Sequence, residues 1–143
     1  MNNFTDQVEL MYPDLKHGKI TSVTYADTRI DHVAVEDIAA FAAAAFENPE
    51  AFNEQSIELA GDSVSFNEIA RIFKEVLGKE IKVTMMSIEE SIAQGNHQMM
   101  ARSQQWDNVA GYKVDIDLLK QHNIKLTSFK EFVENHQEDF IIG

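Results

Sequence analysis

The chain has 143 residues, 44% of them hydrophobic, which is enough for one domain with its own core. It contains no cysteine, so disulfides, thiol nucleophiles and cysteine-ligated zinc are excluded, and a reducing, cytoplasmic setting is expected. A formal net charge of −12 at pH 7 and a pI of about 4.7 argue against nucleic acid or an anionic membrane as partner.

The segment from Met1 to Asp6 has no basic n-region and no apolar h-region, so no signal peptide is expected. No apolar run reaches membrane-spanning length. Residues Asn3 to Leu15 read as a helix or an irregular segment, with Phe4, Val8 and Met11 at helical spacing. Lys19 to Tyr25 alternates around Ile20, Val23 and Tyr25, which predicts a strand.

A strand–helix–strand unit is expected from Ile30 to Gly61. Ile30, His32 and Val33 to Val35 form a β-branched run, and Glu36-Asp37 places negative charge in the first turn of the helix that follows. From Ile38 to Phe46 that helix is apolar nearly all round, a pattern that belongs to a helix covered on several sides. Its six alanines keep it thin enough for close approach by a sheet or another helix. Asn48-Pro49 ends it, because the residue before proline avoids the α region. Ser56 to Gly61 then alternates as a second strand; if parallel to the first, the crossover is right-handed.

Three capping boxes follow, at Ser65–Glu68, Ser87–Glu90 and Ser128–Glu131. The first opens a helix with Phe66, Ile69, Ala70, Phe73 and Leu77 on one face, closed by Gly78. Ile81 to Met85 alternates as a third strand. The second box opens a short helix ended by Gly95, and Asn96 to Ala110 predicts a longer one closed by Gly111. Asp115 to His122 is a short helix with Ile116 and Leu119 inward. The third box starts a helix carrying Phe129, Phe132, Val133 and His136, after which the Phe140 to Ile142 tail packs back. No repeat, low-complexity tract or linker interrupts residues 1–143, so one domain is expected. The fold class is α/β or α+β, with a small sheet of three or four strands and four or five helices.

The order of these elements resembles a known family. His32-Val33-Ala34-Val35-Glu36-Asp37-Ile38-Ala39 looks like the strand-into-helix segment of NmrA-like proteins, which are atypical short-chain dehydrogenases/reductases. Glu58 to Gly61, Ser65 to Glu68 and Val76 to Lys79 follow in the family's order, as do Trp106, Gly111-Tyr112-Lys113 and Thr127-Ser128-Phe129. The start, Met1 to Phe4, resembles the segment after the sixth strand of the family's nucleotide-binding sheet. The resemblance implies the C-terminal, substrate-side lobe of a Rossmann protein, without the half that binds NAD(P) in the full-length family. A plain methionine start favours a natural short product. The six glycines are too dispersed for a phosphate-binding turn, so no cofactor is expected on this chain alone.

The candidate chemistry is sparse. Tyr12 and Lys16 match a Tyr-x-x-x-Lys spacing, but Pro13 and Gly18 bracket them too tightly for one helical face, so coincidence is expected. The five histidines lack zinc-ligand spacing, and no metal site is expected. No catalytic residue is assigned: the pairs Asp115/Asp117 and Glu89/Glu90 sit in polar helix starts, and no G-x-S-x-G turn is present. Met85, Met86, Met99, Met100 and Trp106 form the one group suited to an irregular apolar ligand surface, with ordinary core as the plain alternative. By resemblance the helices carrying them border the substrate cleft, and Asn3 and Phe4 flank its nicotinamide end.

Three functions are carried forward. The first is a non-catalytic module that binds a small molecule or a protein, the second is half of a split NAD(P)-dependent oxidoreductase, and the third is a remnant without selected activity. An open sheet edge and the face beneath the alanine-rich helix invite pairing, so a homodimer or a chain supplying the missing Rossmann half is expected.

Overall fold

A computed structural model describes all 143 residues, Met1–Gly143. The chain runs through α1 (Val8–Met11), β1 (Lys19–Ser22), β2 (Ile30–His32), α2 (Val35–Glu47), α3 (Pro49–Phe52), β3 (Asp62–Val64) and α4 (Phe66–Leu77). It continues through β4 (Lys82–Met85), α5 (Ile88–Ala93), α6 (Gln98–Asp107), α7 (Ile116–Leu119) and α8 (Phe129–Asn135). Helices α1, α3 and α7 are single turns of 4 residues; α7, extended by the turn Lys120–His122, stands where the sequence marks a short helix, and the other five also match helices that the sequence marks out. No helix is long and apolar enough to cross a membrane.

The strands form two separate pairs rather than one sheet. β1 runs parallel to β4, with Ile20 opposite Val83, and β2 runs antiparallel to β3, with Ile30 opposite Val64. The parallel unit expected around α2 is therefore not closed within the chain. Ser56–Ala60 is not a ladder strand; the pairing with β2 is made by the next residues, Asp62–Val64, and Gly61 N–H donates to the His32 carbonyl at 2.7 Å. β1 stops at Ser22 because the next residues turn to α6, where Gln104 Oε1 accepts from Val23 N–H and Asn108 Nδ2 donates to the Val23 carbonyl.

Helix boundaries follow local hydrogen bonding. Ser65 and Glu68 satisfy each other's backbone N–H groups, as do Ser87 and Glu90. The Ser65 N–H, helped by Arg29, holds the Glu68 carboxyl below its usual range. At Ser128 only half the box forms: its Oγ accepts from Glu131 N–H, while the Glu131 carboxylate pairs with Lys125. Gly78 closes α4 in the left-handed region at φ 67°, the conformation that glycine adopts without a Cβ penalty.

The core is built on five fully buried phenylalanines, Phe4, Phe66, Phe73, Phe129 and Phe132. Phe129 meets Phe4 edge-on at 5.3 Å and Phe73 at 5.9 Å, geometries that add about 0.5–1.5 kcal/mol each beyond area burial. Ile142 of the tail is buried here, as expected. Helix α2 departs from expectation: only Asp37 and Phe41 are buried, while Val35, Ile38 and Phe46 lie exposed. Its apolar circumference is not matched by cover from this chain.

Two carboxylates near α2 act over long separations. Asp37 accepts from the N–H and the hydroxyl of Thr127 at 2.8 and 2.7 Å, and Asp62 accepts from Phe129 N–H at 2.8 Å. Gly61 lies between them, and a Cβ there would sit 2.3 Å from the Thr127 carbonyl oxygen. Gly61→Ala is expected to lower stability in urea unfolding by about 1–3 kcal/mol, the usual cost of overpacking.

His32 is buried with Nε2 unpartnered, its ring 5.6 Å from Phe129. Burial lowers its pKa from 6.5 to about 3. The unfolded chain therefore binds the proton that the folded chain refuses, and stability falls as pH drops from about 6.5 toward about 3. His32→Phe is expected to flatten this slope, by up to about 1.4 kcal/mol per pH unit, in unfolding curves measured across that window.

Candidate functional site

The largest convergence of candidate residues is a cleft of about 170 Å³ between the end of α1, strand β1 and the α5–α6 hairpin. Its apolar wall is Leu10, Met11, Tyr12, Met86 and Met100, and its polar wall is Gln94, Asn96, Gln104 and Asp14, whose carboxylate accepts from the Thr21 hydroxyl at 2.8 Å. β4 carries the chain into Met86, whose N–H donates to the Ser22 carbonyl at 3.0 Å, so the parallel pairing itself sets that methionine at the cleft. His97 opens α6 by accepting Met99 N–H on Nδ1, which turns Met100 inward and leaves Met99 on the outside.

Of the seven residues singled out for a ligand cleft, the structure brings together two, Met86 and Met100. Met85 is exposed, its sulfur accepting from Ala26 N–H at 3.3 Å, and Met99 is 74% exposed. Trp106 packs edge-on against Tyr112 at 5.1 Å, away from the cleft lining. Phe4 is a core residue stacked on Tyr12 at 4.1 Å, and Asn3 is exposed beside it. Gln94 and Asn96, in the turn between α5 and α6, and Gln104, on α6, did not stand out in the sequence, because single amides in a turn or on a helix carry no periodic signal. Gln104 is the most engaged of them, accepting Val23 N–H on its side chain and the Thr24 hydroxyl on its carbonyl.

The acid–base groups near the cleft are structural in their contacts. Tyr12 faces inward between Phe4 and Phe66, and burial, with Asp107 adding, raises its pKa well above the usual phenol value. Lys16 turns outward to Glu9 at 3.3 Å, so Tyr12 and Lys16 share no face and the lysine cannot lower the phenol's pKa. Burial also raises Asp107, opposed by the Thr24 hydroxyl. No three histidines or carboxylates converge as metal ligands. The left-handed glycines Gly18, Gly78, Gly95 and Gly111 all follow helical turns instead of opening a helix, so these residues do not make a cradle for a dinucleotide pyrophosphate.

The chain belongs to the NmrA-like family, whose model matches residues 1–133. Similar solved structures include the NADPH-dependent quinone oxidoreductase of Escherichia coli, 21% identical with a TM-score of 0.68, covering 94% of this chain and 50% of that one. The Citrobacter sp. triphenylmethane reductase is 18% identical with a TM-score of 0.67, covering 94% and 48%. A nucleoside-diphosphate-sugar epimerase from Staphylococcus aureus is 22% identical with a TM-score of 0.68, covering 90% and 48%. The first two have also been solved with NADPH or NADP(H) bound. No curated protein matches. The chain spans about half the length of the structures it resembles.

Tyr12 provides a direct check on the spacing coincidence. Its hydroxyl makes no hydrogen bond within the chain, so Tyr12→Phe is expected to change stability by less than about 0.5 kcal/mol. Tyr12→Ala, which removes the stack on Phe4, is expected to cost about 3–5 kcal/mol in the same unfolding measurement.

Proposed function

We propose that this chain is the ligand-binding, substrate-side lobe of an NmrA-like oxidoreductase architecture, without catalysis of its own. The observation that carries the reading is the Met86/Met100 cleft, which offers thioethers, amides and one carboxylate, Asp14, but no lysine or arginine. Such a lining suits a small molecule without negative charge, held by polarisable contacts and one or two amide hydrogen bonds. Hydride chemistry would require a dinucleotide-binding half, supplied by another segment or another chain; the half-length match to relatives solved with NADPH supports this. A regulatory role, in which the cleft reads a metabolite, rests on the same lining and needs no such half.

The test is calorimetric titration of NADPH and of NADH into the purified chain, with its mass in solution measured on the same sample. No heat is expected from either nucleotide. Micromolar binding by the chain alone would overturn the reading, since it would require a nucleotide site built from residues that lack the glycine turn.

A further inference from the structure

Asp14 is the only charged residue in the lining of the Met86/Met100 cleft, and it is a carboxylate without a cation. Its Oδ2 accepts the Thr21 hydroxyl at 2.8 Å, and its Oδ1 has no hydrogen-bond partner. No lysine, arginine or histidine pairs with it, and Lys16, the nearest lysine in sequence, turns outward to Glu9 instead. The side chain is held in place. Pro13 fixes the backbone before it, and the Asp14 carbonyl accepts the N–H groups of His17 and Lys19 at 2.9 and 3.2 Å.

The neighbouring amides add acceptors. Asn96 spends an amide N–H on Ser91 Oγ at 3.1 Å, which leaves its Oδ1 without a partner, and the Gln94 side chain makes no hydrogen bond in the chain. Gln104 already uses its Oε1 on Val23 N–H. An ammonium brings three N–H donors, a positive charge and no acceptor, and so matches this set. A carboxylate or phosphate would face Asp14 with no cation to balance it.

The volume limits the rest of the molecule. The cleft of about 170 Å³ has room for one aromatic ring with a short arm, since an apolar cavity of about 150 Å³ takes benzene. Thioethers favour a ring over a flexible chain, because sulfur gains from contact with an aromatic edge. Met86 and Met100 supply that wall together with Tyr12, which its stack on Phe4 at 4.1 Å keeps in place.

We infer that the cleft takes a small arylalkylamine, with its ammonium on Asp14 and its single ring against Met86, Met100 and Tyr12. The inference rests on the reading of this cleft as a ligand site and deepens it by naming the class of molecule. Asp14 sets the charge that is accepted, and the methionines set the size and shape.

The test uses the whole chain with isotope-labelled methionine methyl groups and three probes of one size: phenethylammonium, phenylethanol and phenylacetate. Met85 and Met99, which face outward, are the internal controls. Phenethylammonium is expected to shift Met86 and Met100 and leave the controls unmoved, with a Kd of about 0.1–1 mM for so small a ligand. Phenylethanol is expected to bind at least about tenfold more weakly, for want of the charge-assisted hydrogen bond, and phenylacetate not to bind. Asp14→Asn, which keeps an acceptor for Thr21, is expected to remove the preference for the ammonium over the alcohol. Gln94→Lys, at an exposed position of the lining, is expected to weaken the ammonium and admit phenylacetate. Equal binding of ammonium and alcohol, or a preference that survives both substitutions, would overturn the proposal and leave the cleft standing as a ligand site. Shifts at Met85 and Met99 instead of Met86 and Met100 would overturn it in favour of surface adsorption. Methyl groups unmoved by all three probes would overturn it together with the reading of the cleft. Nucleotide binding by the chain alone would defeat the functional reading and leave this result standing.

Discussion

The contact on which the rest depends is the carboxylate of Asp37, buried in the first turn of α2 and bound to Thr127 through two hydrogen bonds. It joins residues 90 positions apart and brings the C-terminal segment over the β2–β3 pair. Gly61 passes between the two groups so closely that any side chain would meet the Thr127 carbonyl or Asp37 itself. Asp62, one residue on, then accepts Phe129 N–H at the start of α8. With α8 so placed, Phe129 and Phe132 fill the centre of the core against Phe4 and Phe73. Removing one partner from such a set leaves the other to bear its desolvation cost.

The same junction explains why one side of the molecule is closed and the other open. Helices α4 and α8 and the C-terminal tail pack into the aromatic core, and α2 is held by its first turn and by Phe41. The remaining apolar surface of α2 and the backbone of Ser56–Ala60 have no counterpart within these residues. The solved structures that share this fold are about twice as long.

What was legible in the sequence was local. Capping boxes at Ser65 and Ser87 act across three residues, so their pattern needs no tertiary partner to be correct. The third shows the limit: Glu131 has the right spacing from Ser128 but is drawn to Lys125, a competitor that the motif does not include. Ser56–Gly61 has true strand alternation, yet a ladder needs a neighbour, and the neighbour of β2 is the segment that follows, Asp62–Val64. The methionine group shows the same division. Met86 and Met100 reach the cleft while Met85 and Met99, one residue away, face out, because a strand alternates sides and a helix turns about 100° per residue.

The sequence by itself determined where most helices start and stop, which positions form the aromatic core and which family the chain joins, since each rests on spacing within a few residues or on their order. Only the tertiary structure decided that Asp37 is a buried tether rather than a dipole partner, that two of four methionines share a cleft with three amides, and that α2 stays bare. Those outcomes depend on contacts closed across some eighty to ninety residues, as between Val23 and Gln104 or Asp37 and Thr127, and on the balance of burial against available cover. Hydrophobic periodicity measures how much surface a segment needs to bury; it carries no information about what arrives to bury it.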